Sequence, residues 1–242
     1  MQKKVKVLNI PFINTTRKDL IQNIIKPALE NRQKRFIVTA NPEIVEYANN
    51  HPEYKDILDQ ADVIAPDGIG IIIASKMIKQ PLQERVAGFD IMHDMFEIAN
   101  EKGLKVYMLG AEKSVIEKAA ENVKRQYPSL RLVGYHHGFI DINEREIAER
   151  IAQLKPDIIL TALGFPRQEQ WIHKYISIFP KGLFMGVGGS FDILAGKLNR
   201  APVIWQKLNL EWLYRLIKQP SRWRRMLVLP LFILHVAKGR KQ

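Results

Sequence analysis

Through the first 195 of 242 residues, short apolar runs rich in β-branched side chains alternate with longer amphipathic segments. The runs Val5 to Ile13, Phe36 to Ala40, Val63 to Ala65, Lys105 to Leu109, Leu132 to Tyr135, Ile158 to Leu163 and Leu183 to Val187 predict strands. The segments Arg17 to Asn31, Pro42 to Asn50, Pro52 to Asp59, Ile69 to Lys79, Phe89 to Lys102, Ser114 to Tyr127, Glu144 to Leu154 and Gln168 to Ile178 carry a helical repeat. Strands joined through helices demand right-handed crossovers, hence an α/β fold, Rossmann-like, with a mostly parallel sheet and helices on both faces. Ligands of such sheets bind at the carboxyl ends of the strands, so residues just after each strand are the ones to weigh.

The remaining 47 residues have a different character. Residues 196–242 hold eleven Lys and Arg against one acid, Glu211, a charge of +10 within a chain whose total is +12. Residues 1–195, the expected α/β core, are therefore nearly neutral, and 196–242 are expected to form a basic helical appendage, broken near Pro220. The same segment carries Trp205, Trp212, Trp223 and an apolar run from Met226 to Ala237. Basic residues, tryptophans and aliphatic surface together fit an anionic membrane face. Twelve residues fall short of the roughly 20 that a spanning helix needs, so the segment is expected to lie on a membrane rather than cross it. The N-terminus lacks the apolar stretch of a signal peptide and the chain has no cysteine, which points to the cytoplasm, with peripheral attachment at the inner face of the cell membrane.

Several strand ends carry unusual residues. Asn41 and Pro42 suit the start of a helix. Asp67 lies between Pro66 and Gly68, where Asp-Gly taken alone is more often the chemistry of a turn or cap than of a working carboxylate. Gly110, after a strand, is a weak nucleotide signal without a G-x-G-x-x-G or P-loop pattern around it. Gly164 precedes a helix whose first turn bears Gln168 and Glu169, polar groups expected to project over the strand ends. Gly188 and Gly189 belong to a glycine-rich turn that fits either phosphate binding through backbone amides or tight packing. The six histidines show no ligand spacing and there is no Asp-x-Asp, so neither a metal nor another cofactor is expected, and protein cations would have to meet any phosphate. A nucleic-acid-binding reading of the basic tail is disfavoured by the aliphatic run, and a noncatalytic lipid-binding module by polar groups at four separate strand ends.

The sequences Thr39-Ala-Asn41, Pro66-Asp67-Gly68-Ile-Gly70, Arg85-Val-Ala-Gly88-Phe-Asp90, Gly164-Phe-Pro166-Arg-Gln168-Glu169, Gly186-Val-Gly-Gly-Ser-Phe-Asp192, Arg200-Ala-Pro, Leu210-Glu211-Trp212 with Arg215, and Pro220-Ser-Arg222, in that order, resemble the WecG/TagA/CpsF glycosyltransferases from about residue 5 to 230. The resemblance implies a UDP-sugar donor, N-acetylmannosamine being the nearest pattern, and an N-acetylglucosamine acceptor on a polyprenyl diphosphate, as in the linkage unit of wall teichoic acid. Other donors, N-acetylmannosaminuronic acid or glucose, occur in the family and stay open. It further implies an inverting, metal-independent reaction with Asp67 as general base and Thr39, Asn41 and Gln168 positioning sugars. Arg215, Arg222 and Arg225 would fold over the departing diphosphate. Arg85 is read as a phosphate ligand or a surface ion pair, and Asp192 as a nucleotide contact or a helix cap. Self-association through an apolar patch uncovered by a detached tail also stays open.

Overall fold

The computed structural model describes residues 3–220, 223 and 227–239. β3 (Lys34–Ala40), β4 (Val63–Pro66), β5 (Lys105–Gly110), β6 (Arg131–His136), β7 (Ile158–Ala162) and β8 (Gly182–Gly186) form a six-stranded sheet in the order β4-β3-β8-β7-β5-β6. Every neighbouring pair is parallel. The α/β fold expected from the alternation is thus present, with the strand ends that carry Thr39, Asp67, Gln168 and Gly188 belonging to four adjacent strands.

Side-chain alternation splits the interior into two layers. Phe36, Val38, Ile64, Leu109, Ile159 and Phe184 point to one face, where α3 (Pro42–Asn50), α4 (Pro52–Asp59), α5 (Ile69–Met77), α8 (Arg145–Gln153) and α9 (Arg167–Tyr175) pack. Ile37, Val63, Ala65, Met108, Leu160 and Met185 point to the other, covered by α6 (Gly88–Lys102), α7 (Lys113–Gln126), α10 (Ser190–Leu194) and the N-terminal helical segment. That segment runs as α1 (Arg17–Leu20), a π turn (Ile21–Ile25) and α2 (Lys26–Glu30). Pro27 accounts for the π turn: it has no N–H to give and its ring would crowd the carbonyl four residues back, so the helix widens just before it.

The single strand expected from Val5 to Ile13 is instead a hairpin, β1 (Lys4–Val7) and β2 (Ile10–Ile13), in which Lys4 pairs with Ile13 and Val7 with Ile10. Leu8 and Asn9 close it with φ of 45° and 66°. Both values are those of a two-residue primed turn, which normally announces itself by glycine. Here only Asn9 is a recognised turn former, so the sequence pattern ran through it.

The basic segment begins with two short helices, α11 (Val203–Lys207) and α12 (Glu211–Lys218), and ends in α13 (Val228–Gly239). α13 lies on α3 and α5 with Phe232 and Val236 buried in the same apolar layer as the sheet face. His235 Nδ1 meets both carboxylate oxygens of Glu46, at 3.0 and 2.9 Å. A Cβ on Gly70 would come within 2.6 Å of both Leu229 and Pro42, so glycine is needed for this close approach. Leu227, Leu231 and Leu234 remain exposed. No helix among the described residues is long and apolar enough to cross a membrane.

Because Phe232 is fully buried between α13 and the core, Phe232→Ala should cost about 3–5 kcal/mol where the site cannot collapse. Denaturant unfolding would show a lower midpoint than for Leu234→Ala, whose side chain is exposed.

Candidate active site

Two clusters occupy the carboxyl edge of the sheet. The first surrounds Asp67, which follows β4 and whose backbone N–H donates to Ala40 O at 2.9 Å. Gly68, at φ 90°, turns the chain sharply into α5, leaving the Asp67 side chain partly open to solvent at the strand end. Oδ2 accepts from the Gly88 N–H at 3.3 Å, and Oδ1 lies 3.4 Å from Arg85 Nε. The loop carrying Arg85 is fixed by Val86 N–H donating to Pro66 O at 2.8 Å. Thr39 closes the corner: a Cβ on Gly88 would meet its Oγ1 at 2.7 Å, so only glycine lets α6 start this near β3. Asn41 caps α3 through Oδ1, which accepts from Ile44 N–H at 3.0 Å, and its amide NH2 is the group it can offer to a ligand.

The second cluster joins β7 and β8. Gln168 Oε1 accepts from the Gly188 N–H at 3.1 Å, while its Nε2 donates to Glu169 Oε1 at 2.7 Å. Gly186 leaves the slot these side chains fill, since a Cβ there would overlap Gln168 Nε2. Gln168 thus reaches over the end of β8, and both side chains are buried there, 5% and 2% exposed. Burial pushes the Glu169 carboxyl up to about 7, against the Gln168 hydrogen bond that favours the charged form. Glu169 Oε2 and the Tyr54 hydroxyl are both buried near one another, with no well-formed hydrogen bond to either among the described residues, and burial together with the nearby carboxylate raises the Tyr54 pKa.

A third group of charges ties the basic segment to the first cluster. Arg200 forks Asp90 at 2.6 and 2.9 Å, and Arg17 forks Asp94 on the next turn of α6 at 2.6 Å for both bonds. Burial alone would raise Asp90, but its hydrogen bonds to Arg200 hold it below the usual carboxylate range. Glu211, 6% exposed at the start of α12, bonds to Arg85 Nη2 and lies 3.5 Å from Arg200 Nε. Burial works to lower the Arg85 pKa, yet Asp67 and Glu211 together hold it above its ordinary value. Beside them opens a cavity of about 480 Å³ lined by Lys76, Arg85, Asp90, Arg200, Lys207 and Glu211 among others.

The structure therefore brings Asp67, Thr39, Asn41 and Arg85 into one corner, and Gln168 and Gly188 into a second. Arg85 is a largely enclosed double ion pair rather than a surface one. Gly110 abuts the Ala162 backbone too closely for any Cβ, and Gly164, at φ 77°, faces open space. Gly189 precedes α10, and Asp192 lies within that helix, 3.8 Å from Lys197 Nζ. Arg215 is exposed one turn beyond Glu211; Arg222 and Arg225 lie outside the described residues. Among the described residues no group of three or more His, Asp or Glu side chains could hold a metal ion. Sequence reasoning named Glu169 as a polar strand-end group and quoted Asp90, Arg200 and Glu211 within motifs without giving them a role, and it missed Tyr54.

The family model described as "Glycosyl transferase WecG/TagA/CpsF family" matches residues 5–242. The chain belongs to this glycosyltransferase family. Two relatives are similar over nearly the whole length. One, from Bacillus spizizenii (strain ATCC 23059 / NRRL B-14472 / W23), is 41% identical over 95% of this chain and 89% of its own; the other, from Staphylococcus aureus (strain MW2), is 40% identical over 99% and 94%. Both are named N-acetylglucosaminyldiphosphoundecaprenol N-acetyl-beta-D-mannosaminyltransferase.

The buried Glu169 of this glycosyltransferase fold gives a pH signature. Unfolded, the side chain releases its proton near 4.5; folded, near about 7. Between those values the folded state holds the extra proton, so this group makes stability fall as pH rises, by up to about 1.4 kcal/mol per unit, the loss tapering off once pH has risen through the folded-state value. Glu169→Gln should remove that component, seen as a flatter dependence of the denaturation midpoint from pH 5 to 7.

Proposed function

We propose that the protein transfers N-acetylmannosamine from UDP-N-acetylmannosamine to N-acetylglucosamine on undecaprenyl diphosphate, forming the linkage disaccharide of wall teichoic acid. The observation that carries this reading is the Asp67 corner, a partly open carboxylate held by Arg85 and the Gly88 amide at the end of a strand, in a chain whose relatives bear that activity in their names. Asp67 takes the proton of the acceptor hydroxyl as its oxygen bonds to the anomeric carbon. The bond from that carbon to the diphosphate oxygen breaks on the opposite side, UDP leaves, and configuration inverts. A base held in reach of the hydroxyl contributes roughly 10² to 10⁴ in rate.

Thr39, Asn41 and Gln168 orient the sugars, and Gly110, Gly164, Gly189 and Asp192 face the nucleotide. Negative charge grows on the departing diphosphate, where donors already in place do most of the stabilising. Arg215, Arg222 and Arg225 supply the positive charge that offsets it, without a metal ion. In this reading residues 1–195 are the catalytic core and 196–242 an appendage that completes the site and meets the inner face of the cell membrane from the cytoplasmic side. The exposed Leu227, Leu231 and Leu234, amid a segment of +10, support that contact.

The test is transfer by the full-length protein supplied with lipid-linked N-acetylglucosamine diphosphate and UDP-N-acetylmannosamine, following UDP and disaccharide. Absence of product with this pair, alongside product from a different UDP-sugar, would overturn the donor assignment. Asp67→Ala should lower turnover by about 10² or more while UDP binding persists. EDTA should leave the wild-type rate unchanged; loss restored by magnesium or manganese would refute the metal-free account.

A further inference from the structure

Glu211 is the one acid among the last 47 residues, and it is not spent on solvent. It is buried where α12 meets the core, on Arg85 Nη2, with Arg200 Nε 3.5 Å from its other oxygen. The same Arg85 guanidinium reaches Asp67 through Nε, 3.4 Å from Oδ1. One planar cation thus joins a carboxylate of the basic segment to a carboxylate at the strand end, across 126 residues of chain in one case and 18 in the other.

We propose that Glu211 is a positioning residue for Asp67, acting through Arg85: docking of the basic segment seats the Glu211 carboxylate on the Arg85 guanidinium and thereby fixes how that guanidinium engages Asp67. The inference rests on the proton-accepting role of Asp67 proposed above. Its physical basis is the division of donors. A guanidinium offers a planar fork, and with Nη2 held by Glu211 only the Nε edge is directed at Asp67. Released from Glu211, Arg85 would be free to fork Asp67 as it now cannot, and a carboxylate forked by a guanidinium accepts a proton less readily. Glu211 is in turn held by the segment that carries it: Arg200, eleven residues earlier, is clamped by Asp90, and Arg17 stands 3.9 Å from the same Asp90 oxygen. The other charged groups lining this cavity are Lys76 on α5, Glu84 on the loop before α6, and Lys207 at the end of α11. None has an ion pair to Asp67 or Glu211 among the described residues.

The experiment compares wild type, Glu211→Gln, Glu211→Asp, Arg85→Ala and Arg85→Ala with Glu211→Gln, all as full-length protein. Glu211→Gln should lower kcat about ten-fold while KM for the nucleotide sugar and the lipid-linked acceptor each stay within about two-fold. On the Arg85→Ala background the same substitution should change nothing further, since residues acting through one partner are not additive. Glu211→Asp keeps the charge and should fall between wild type and Glu211→Gln. A readout independent of turnover is the ¹⁵Nε–¹Hε resonance of Arg85, assigned by Arg85→Lys, which should move in both Glu211→Gln and Asp67→Asn. An Arg85 resonance unmoved by Glu211→Gln, a loss confined to acceptor KM, or a full extra ten-fold on the Arg85→Ala background would overturn the inference. Should Asp67→Ala prove active while the resonance moves as expected, the proton-accepting role fails and the coupling of Glu211 to Asp67 through Arg85 stands.

Discussion

A parallel sheet buried on both faces leaves its strands no place for polar chemistry except their ends. Phe36, Val38 and Phe184 fill one layer while Ile37 and Met185 fill the other, and every strand of the sheet is apolar through its centre. The carboxyl edge is where the chain turns into helices, where glycines permit close approach, and where carboxylates meet backbone N–H groups. Asp67, Thr39, Gln168 and Gly188 lie on that edge because β4, β3, β7 and β8 are neighbours in the sheet. Crossovers that skip strands collected residues from positions 39 to 188 into one rim.

Charge in this protein is organised by enclosure more than by number. The basic segment is held to the core through a half-buried acid and two buried ones: Arg200 forks Asp90, Glu46 takes His235, and the segment's own Glu211 returns to Arg85. Taking such groups out of water is costly unless each has its partner, so the pairs fix where the segment docks more than they add net stability. Apolar burial of Phe232 and Val236 supplies the adhesion, and the ion pairs supply the register. The aliphatic residues left outside, Leu231 and Leu234, alternate along α13 with the buried Phe232 and Val236, and Leu227 is exposed just before it. One helix therefore packs inward on α3 and α5 while its other edge stays apolar and exposed.

Glycine determines how closely each rim cluster can pack. Gly88 lets the first turn of α6 press against Thr39, and Gly186 lets Gln168 and Glu169 turn inward beside β8. The second case also explains why a glutamate in the first turn of a helix, normally a solvated position, is instead buried and binds its proton to about pH 7. Gln168, held on both sides by Glu169 and Gly188, cannot rotate its amide without losing a hydrogen bond.

The alternation of apolar runs and amphipathic segments by itself determined the α/β class, most strand and helix positions, and the separation of a neutral core from a basic segment, because period and charge are local properties. It also placed Asp67, Asn41 and Gln168 beyond strands and Thr39 near the end of one. The hairpin at Leu8–Asn9 escaped it, since a turn that uses a leucine at positive φ carries no glycine signal. Tertiary structure alone decided the burial of Glu169, the enclosure of Arg85 and the pairing of Glu211 and Arg200 with residues 126 and 110 positions away. Those outcomes depend on which strands lie side by side and on where a helix rests against the sheet. A charged side chain has the same local sequence whether it ends in water or between two partners, and only packing removes the water.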